Sequence, residues 1–110
     1  MSGARDSILA TVGRRRSLEG NVEGIGPVRF QSFSERERSE FERIIDTKPE
    51  ESRAYLLVKT LVDAEGKRLF ADNETSLILE LDAAVTTTLG AIALGHISPS
   101  AIDLGDSIKN

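Results

Sequence analysis

The stretch from Ser34 to Val62 constrains the fold most, because it specifies two consecutive helices. The letters "SERE" form a capping box, in which the Ser34 hydroxyl accepts from the amide of Glu37 and the Glu37 carboxylate reaches back to the cap. Pro49 cannot lie inside a helix. The sequence therefore predicts that one helix ends before Pro49 and that a second begins there, with Thr47 as its cap.

The second predicted helix is apolar on more than one side, which is typical of a buried helix. A chain of 110 residues fits one domain with one modest core. The chain has four phenylalanines, one tyrosine and no tryptophan, so most of that core must be aliphatic. We predict a mainly α fold, a small single-domain bundle of four or five short helices with a minor β-hairpin or extended arm. The residues expected to bury this helix are Tyr55, Leu56, Leu57, Val58, Leu61 and Val62.

The region before Ser34 has a different character, with several glycines and a proline between short β-favouring pieces at 22–25 and 28–33. This pattern favours a hairpin or an irregular arm, and Pro27 argues against a central strand. The extreme N-terminus is basic. We therefore predict a flexible basic tail over 1–20 and a helical domain over 21–110.

Charge is distributed unevenly around a net of −4. The run Arg14–Arg16 is basic, whereas 69–108 contains no Lys or Arg and several Asp and Glu. A negative C-terminal face disfavours nucleic acid as a partner, because phosphate neutralisation needs clustered cations. We interpret the arginine run as a solvated tail.

The stretch "LVDAEGKRLFADNE" gathers Asp63, Glu65, Asp72 and Glu74 around one glycine. A calcium loop counted from Asp63 would need a ligand and a glycine where Lys67 and Arg68 stand, so metal binding is not expected there. Each carboxylate has a simpler local explanation in a turn or a helix start, which also disfavours paired-acid catalysis.

The same stretch predicts a turn at Gly66 and an extended segment, Lys67–Phe70, that carries Leu69 and Phe70 into the core. Asp72 or Asn73 is then expected to cap a helix that ends near Asp82.

A further helix is predicted in "AAVTTTLGAIALG", with Asp82 as its cap. One apolar stripe and one adjoining stripe of small residues run along it. The small residues either let two helices of this domain approach closely or receive a helix of another chain, and both interpretations stay open. Our candidate partner-binding residues are Leu77, Leu81, Ala84, Val85, Thr88, Leu89, Ala91 and Ile92.

No feature predicts catalysis, a metal or a cofactor. The chain has no cysteine, which fits a reducing cytoplasm. It has no apolar run long enough for a membrane span. Its single histidine, His96, follows Gly95 at a helix end and is interpreted as structural. A last short helix is expected from Ser98 to Leu104, ended by Gly105.

The succession of "SERERSEFERII", "RAYLLVKTLVDAEGKRLFADNETSLILELDAAVTTTLGAI" and "ISPSAIDLGDSIKN" resembles the tail assembly chaperones of long-tailed, siphovirus-type bacteriophages. The shared features are a charged helix, a buried helix leading into a "D-x-x-G-x-x-L-F" turn, an "L-x-x-L-D" step and a short final helix. The resemblance covers about residues 28 to 110.

The resemblance implies a non-enzymatic binding protein of the host cytoplasm that is absent from the finished virion. Its implied partners are the tape measure protein, which it keeps soluble, and tail tube subunits, recruited through a longer form made by ribosomal frameshifting. Self-association is left open. Two other classes remain: another phage structural component, such as a connector or tail-completion protein, and an acidic regulatory or inhibitory protein.

Overall fold

The computed structural model describes residues 3–97, without the side chains of His96 and Ile97. Helices dominate and a small antiparallel sheet accompanies them, so the predicted mainly α fold with a minor β-hairpin is confirmed. The final helix predicted at Ser98–Leu104 and the side chain of His96 lie outside this description. The elements are α1 (Ala4–Leu9), β1 (Ser17–Val22), β2 (Gly26–Gln31), α2 (Glu35–Thr47), α3 (Pro49–Thr60), β3 (Leu61–Val62), a 3₁₀ turn (Asp72–Glu74), α4 (Thr75–Leu79) and α5 (Ala83–Ile97).

The hairpin β1–β2 forms most of the sheet. Ser17 lies opposite Gln31 at its open end and Val22 lies opposite Gly26 at its turn. Gly26 takes a φ of 102°, a conformation open to glycine and rare for other residues. β1 begins at Ser17, and the division at residue 21 between a flexible tail and a helical domain stays a prediction.

The capping box at α2 is confirmed: the Glu37 amide donates to the Ser34 hydroxyl at 3.2 Å, and the Ser34 amide donates to Glu37 Oε1 at 2.9 Å. The predicted cap at Thr47 is wrong. α2 continues through Thr47, whose hydroxyl donates to the carbonyl of Arg43 at 2.8 Å, and Lys48 occupies the cap position of α3. The Thr47 hydroxyl is engaged with the preceding helix and so cannot cap the next one.

α3 ends at Thr60, two residues earlier than its apolar pattern predicts. Leu61 turns to extended backbone and pairs with Phe30, so β3 joins the sheet next to β2. Both residues of β3 are buried. Apolar side chains such as theirs occur in buried strands as well as in buried helices. Periodicity alone does not distinguish the two.

The core lies between α3, the sheet and the later helices. α3 contacts α2, α4 and α5. The fully buried hydrophobic side chains of the core are aliphatic, as predicted, except for Phe30 of β2, and the polar side chain of Thr60 is buried among them. A smaller aromatic group seals the α2 side, with ring centroids 5.4 Å apart between Phe33 and Phe41. The largest fully buried side chains are Phe30, Leu56, Leu57, Val58, Thr60 and Ile78.

The segment after the Gly66 turn differs from the predicted extended segment that buries Leu69 and Phe70. Arg68 forms an isolated bridge with Val62, and the backbone bends at Leu69 and Phe70. Phe70 packs against the core, as predicted, but Leu69 is half exposed. Arg68 points inward instead, where its Nε donates to the carbonyl of Val58 at 3.0 Å.

Candidate partner-binding surface

The turn at Gly66 is built by Asp63, as predicted. Its Oδ1 accepts from the amides of Glu65 at 2.8 Å and Lys67 at 2.9 Å. These backbone hydrogen bonds, the one from Lys67 above all, hold the pKa of the Asp63 carboxyl below its usual range. Gly66 takes a φ of 83°, which closes the turn without steric strain.

The side chain of Asp72 connects the segment after Gly66 to α3. Its Oδ1 lies 2.9 Å from Lys59 Nζ and 2.5 Å from Arg68 Nη2. The predicted cap at Asp72 or Asn73 is wrong: the Glu74 carboxylate instead accepts from the Ala71 amide at 2.7 Å, and the Asp72 carboxylate is occupied by the two cations. Within residues 3–97 no group of three or more His, Cys, Asp or Glu is arranged to hold a metal ion.

The candidate binding site is instead an apolar surface around α4 and the start of α5. α4 ends at Leu79, and the Asp82 carboxylate accepts from the Ala84 amide at 2.8 Å, so Asp82 caps α5 as predicted. We define the leucine surface as Leu77, Leu79 and Leu81, which are 52%, 52% and 41% exposed. Periodicity selects Leu77 and Leu81 but misses Leu79, because α4 is too short to show a full helical repeat.

The structure divides the eight predicted binding residues between surface and core. Leu89 is buried, and Val85 and Ile92 are partly buried against the core, so these three help hold α5 in the monomer. The others are accessible, and their binding role remains a prediction. The exposed members are Leu77, Leu81, Ala84, Thr88 and Ala91.

α5 carries two stripes of small residues. The inner stripe, Thr86, Gly90 and Ala93, is buried against the rest of the domain. The outer stripe, Ala84, Thr88 and Ala91, lies on the exposed side. Close packing inside the monomer therefore uses the inner stripe, which the sequence reasoning did not select, and leaves the outer one uncovered.

Two clefts meet along α3 and α5. The first, of about 140 Å³, lies beside the leucine surface, and the second, of about 360 Å³, lies between α2 and the distal half of α5. Glu50 and Arg53 border both, so we define the two together as the α3–α5 groove. Apolar and polar side chains line the groove together, which suits an amphipathic helix. Its apolar lining includes Phe41, Ile45, Ala54, Leu56, Ile78, Leu79, Leu81, Ala83 and Leu94.

A larger cleft of about 540 Å³ near the start of α2 is polar. Arg15 and Glu37 form an ion pair across it at 2.7 Å. The Tyr55 hydroxyl lies 3.5 Å from the carbonyl of Glu37, and burial, aided by Glu40, raises the pKa of Tyr55. Opposite charges line this cleft together, whereas the lining of the groove includes more apolar side chains.

No helix within residues 3–97 is long and apolar enough to cross a membrane.

Comparison with known proteins finds a likeness of fold. No family model and no curated protein matches the chain. Among solved structures, the tail assembly chaperone of bacteriophage HK97 superimposes with a TM-score of 0.66 at 16% sequence identity. The match covers 84% of this chain and 99% of that one. The chain therefore has the fold of a bacteriophage tail assembly chaperone, as the sequence resemblance predicted.

Proposed function

We propose that this protein is a bacteriophage tail assembly chaperone that binds the tape measure protein, keeps it soluble and helps recruit tail tube subunits. The observation that carries the proposal is the shared fold, which extends over almost the whole HK97 chaperone. The proposed role is non-enzymatic, and the proposed location is the host cytoplasm.

The α3–α5 groove supports this role. A long helical protein without its tail tube exposes apolar stripes, which aggregate in water. A groove lined by apolar and polar side chains covers such a stripe by taking in one face of the helix. The exposed outer stripe of α5 supports the same role, because small side chains let a second helix approach closely.

Two further parts of the proposal concern a longer form of the protein and its absence from finished particles. A longer form made by frameshifting would carry the tail tube contact. A slippery heptamer in the gene, followed by an open −1 reading frame, tests this directly. The chaperone should also be absent from finished particles, and its detection by mass spectrometry of purified virions would favour a structural component instead.

Co-expression tests the main proposal. The tape measure protein encoded next to this gene should be insoluble when made alone and soluble when made with this chain. The pair should also elute together in gel filtration. A tape measure protein that stays insoluble in the presence of this chain would contradict the proposal.

A further inference from the structure

β1 forms one edge of the three-stranded sheet, whose strand order is β1-β2-β3. It pairs with β2 without a bulge, from Ser17 opposite Gln31 to Val22 opposite Gly26. Within residues 3–97 no strand pairs with the other side of β1. The edge of a sheet presents unpaired backbone amides and carbonyls, which can form hydrogen bonds with a strand laid beside them.

Every second residue of β1 turns its amide and carbonyl away from β2. Just before β1, the amide of Ser32 donates to the carbonyl of Arg16 at 2.9 Å, so this pair bonds directly across the hairpin. In an antiparallel pair such residues alternate with residues that do not bond across it. Pro27, which has no amide to donate, lies opposite Asn21 and fits this alternation. The outward-facing residues, all exposed, are Ser17, Glu19 and Asn21.

β1 lacks the features that usually protect an edge strand. It contains no proline and no lysine. Its one charged residue, Glu19, forms an ion pair with Arg29 of β2. The chain that leads into β1 lies elsewhere, because Gly13 and Arg15 share a cleft with Gly66, in the turn after β3. Among the described residues, the free edge of β1 is therefore open.

The side chains of β1 indicate which sequence suits a strand laid against it. They alternate between the two faces of the sheet. Gly20 faces α5, where an added Cβ would meet Ile92 Cδ1 at 3.4 Å, and Leu18 on the same face is 37% exposed. Glu19 lies on the opposite face with its side chain 66% exposed. A partner strand would thus place apolar side chains beside Leu18 and Ile92, and a basic side chain beside Glu19.

We propose that β1 binds an extended segment of another protein, which adds a fourth strand to the sheet. The bound segment is about five residues long, apolar at alternate positions, and carries a basic residue between them. Its backbone exchanges hydrogen bonds with Ser17, Glu19 and Asn21. Of residues 3–97, those that line the α3–α5 groove all lie outside β1. This binding therefore goes beyond the proposed function, and either can fail without the other.

Hydrogen exchange measured by NMR on the full chain tests the proposal with a defined probe. The probe is a peptide with blocked ends that alternates valine and threonine around a central lysine. Without it, the amides of Ser17, Glu19 and Asn21 should exchange quickly, while those of Leu18 and Gly20, which face β2, should be protected. With the peptide at ten times its dissociation constant, the three outward amides should exchange about tenfold more slowly, since only the unbound fraction exchanges.

Two substitutions at Glu19 make the test specific. Glu19→Pro removes the central outward amide without removing a hydrogen bond to β2, and should weaken peptide binding at least tenfold. Glu19→Thr removes the same charge but keeps the amide, and should bind within about fivefold of the unaltered protein, because a cross-strand charge pair contributes little. Protected amides at Leu18 and Gly20 show that each variant keeps its hairpin.

The exchange measurement on the unaltered chain does not depend on either variant. Outward amides that are already protected without peptide would overturn the proposal, because the edge would then be covered by the protein itself. Exchange that the peptide leaves unchanged, or equal peptide binding by folded Glu19→Pro and Glu19→Thr, would overturn it as well.

Discussion

Gly90 of α5 lies directly under the side chain of Arg53 of α3: a Cβ added at Gly90 would meet Arg53 Cγ, Cδ and Nε at 3.3 Å. Arg53 also reaches over α5 to Thr87, with Nη1 3.3 Å from its hydroxyl. A side chain at Gly90 would therefore have to displace the side chain of Arg53, which borders both clefts of the groove.

Gly90→Leu should therefore displace the Arg53 side chain from α5 and lower the free energy of unfolding by about 1–3 kcal/mol, as overpacking does. Gly95→Leu is the matched control, because nothing lies within 4 Å of a Cβ there. Urea unfolding of both variants measures the difference. Equal stability of the two variants would show that the contact with Arg53 does not restrict a side chain at Gly90.

Ala91→Gln should leave the monomer folded and weaken its association with a partner helix, because Ala91 belongs to the exposed outer stripe. Ala93→Gln is the contrasting variant: Ala93 is fully buried, so a long polar side chain there should unfold the protein. Thermal unfolding and gel filtration with the partner separate the two effects. If Ala91→Gln unfolds the monomer, the outer stripe is part of the core.

Ser34→Ala should cost about 1 kcal/mol of stability, the usual effect of losing a helix N-cap. Thr47→Ala should cost clearly less, because the Thr47 hydroxyl bonds within α2 instead of capping α3. Denaturant unfolding compares them. A larger loss at Thr47 would restore the capping role that the sequence predicts for it.

The predicted cap at Ser34 is confirmed and the predicted cap at Thr47 is wrong, and this difference shows which features the sequence determines. The capping box of α2 is local chemistry, fully written in four adjacent residues. The end of α3 is not local: whether Leu61 continues a helix or joins a strand depends on Phe30, which lies far away in sequence and offers a pairing edge. Likewise, small residues are visible in the sequence of α5, but which stripe is buried depends on how the whole domain packs.

Asp72→Asn should make stability less sensitive to acid. Hydrogen bonds from Lys59 first, and then Arg68, hold the pKa of the Asp72 carboxyl below its usual range. The ionised form is therefore favoured by folding, and its contribution is present above the unfolded pKa of about 3.9 and is lost as pH falls through and below that value. The contribution should stay below about 1 kcal/mol, because Asp72 is largely exposed.

Unfolding free energies between pH 6 and 3, values that bracket about 3.9, measure this effect. A double-mutant cycle with Lys59→Met isolates the pair, and the coupling should decrease toward the acid end. If Asp72→Asn leaves the pH dependence of the unfolding free energy unchanged, Asp72 does not hold the loop after Gly66 against α3.

The central claim is that the α3–α5 groove binds the tape measure protein, and groove variants in co-expression test it most directly. Leu94→Glu puts a charge at the wall of the groove, whereas Leu69→Glu puts the same charge at a similarly exposed leucine outside it. We expect the tape measure protein to precipitate with Leu94→Glu and to stay soluble with Leu69→Glu, both chains being folded. Equal solubility with the two variants would contradict the claim.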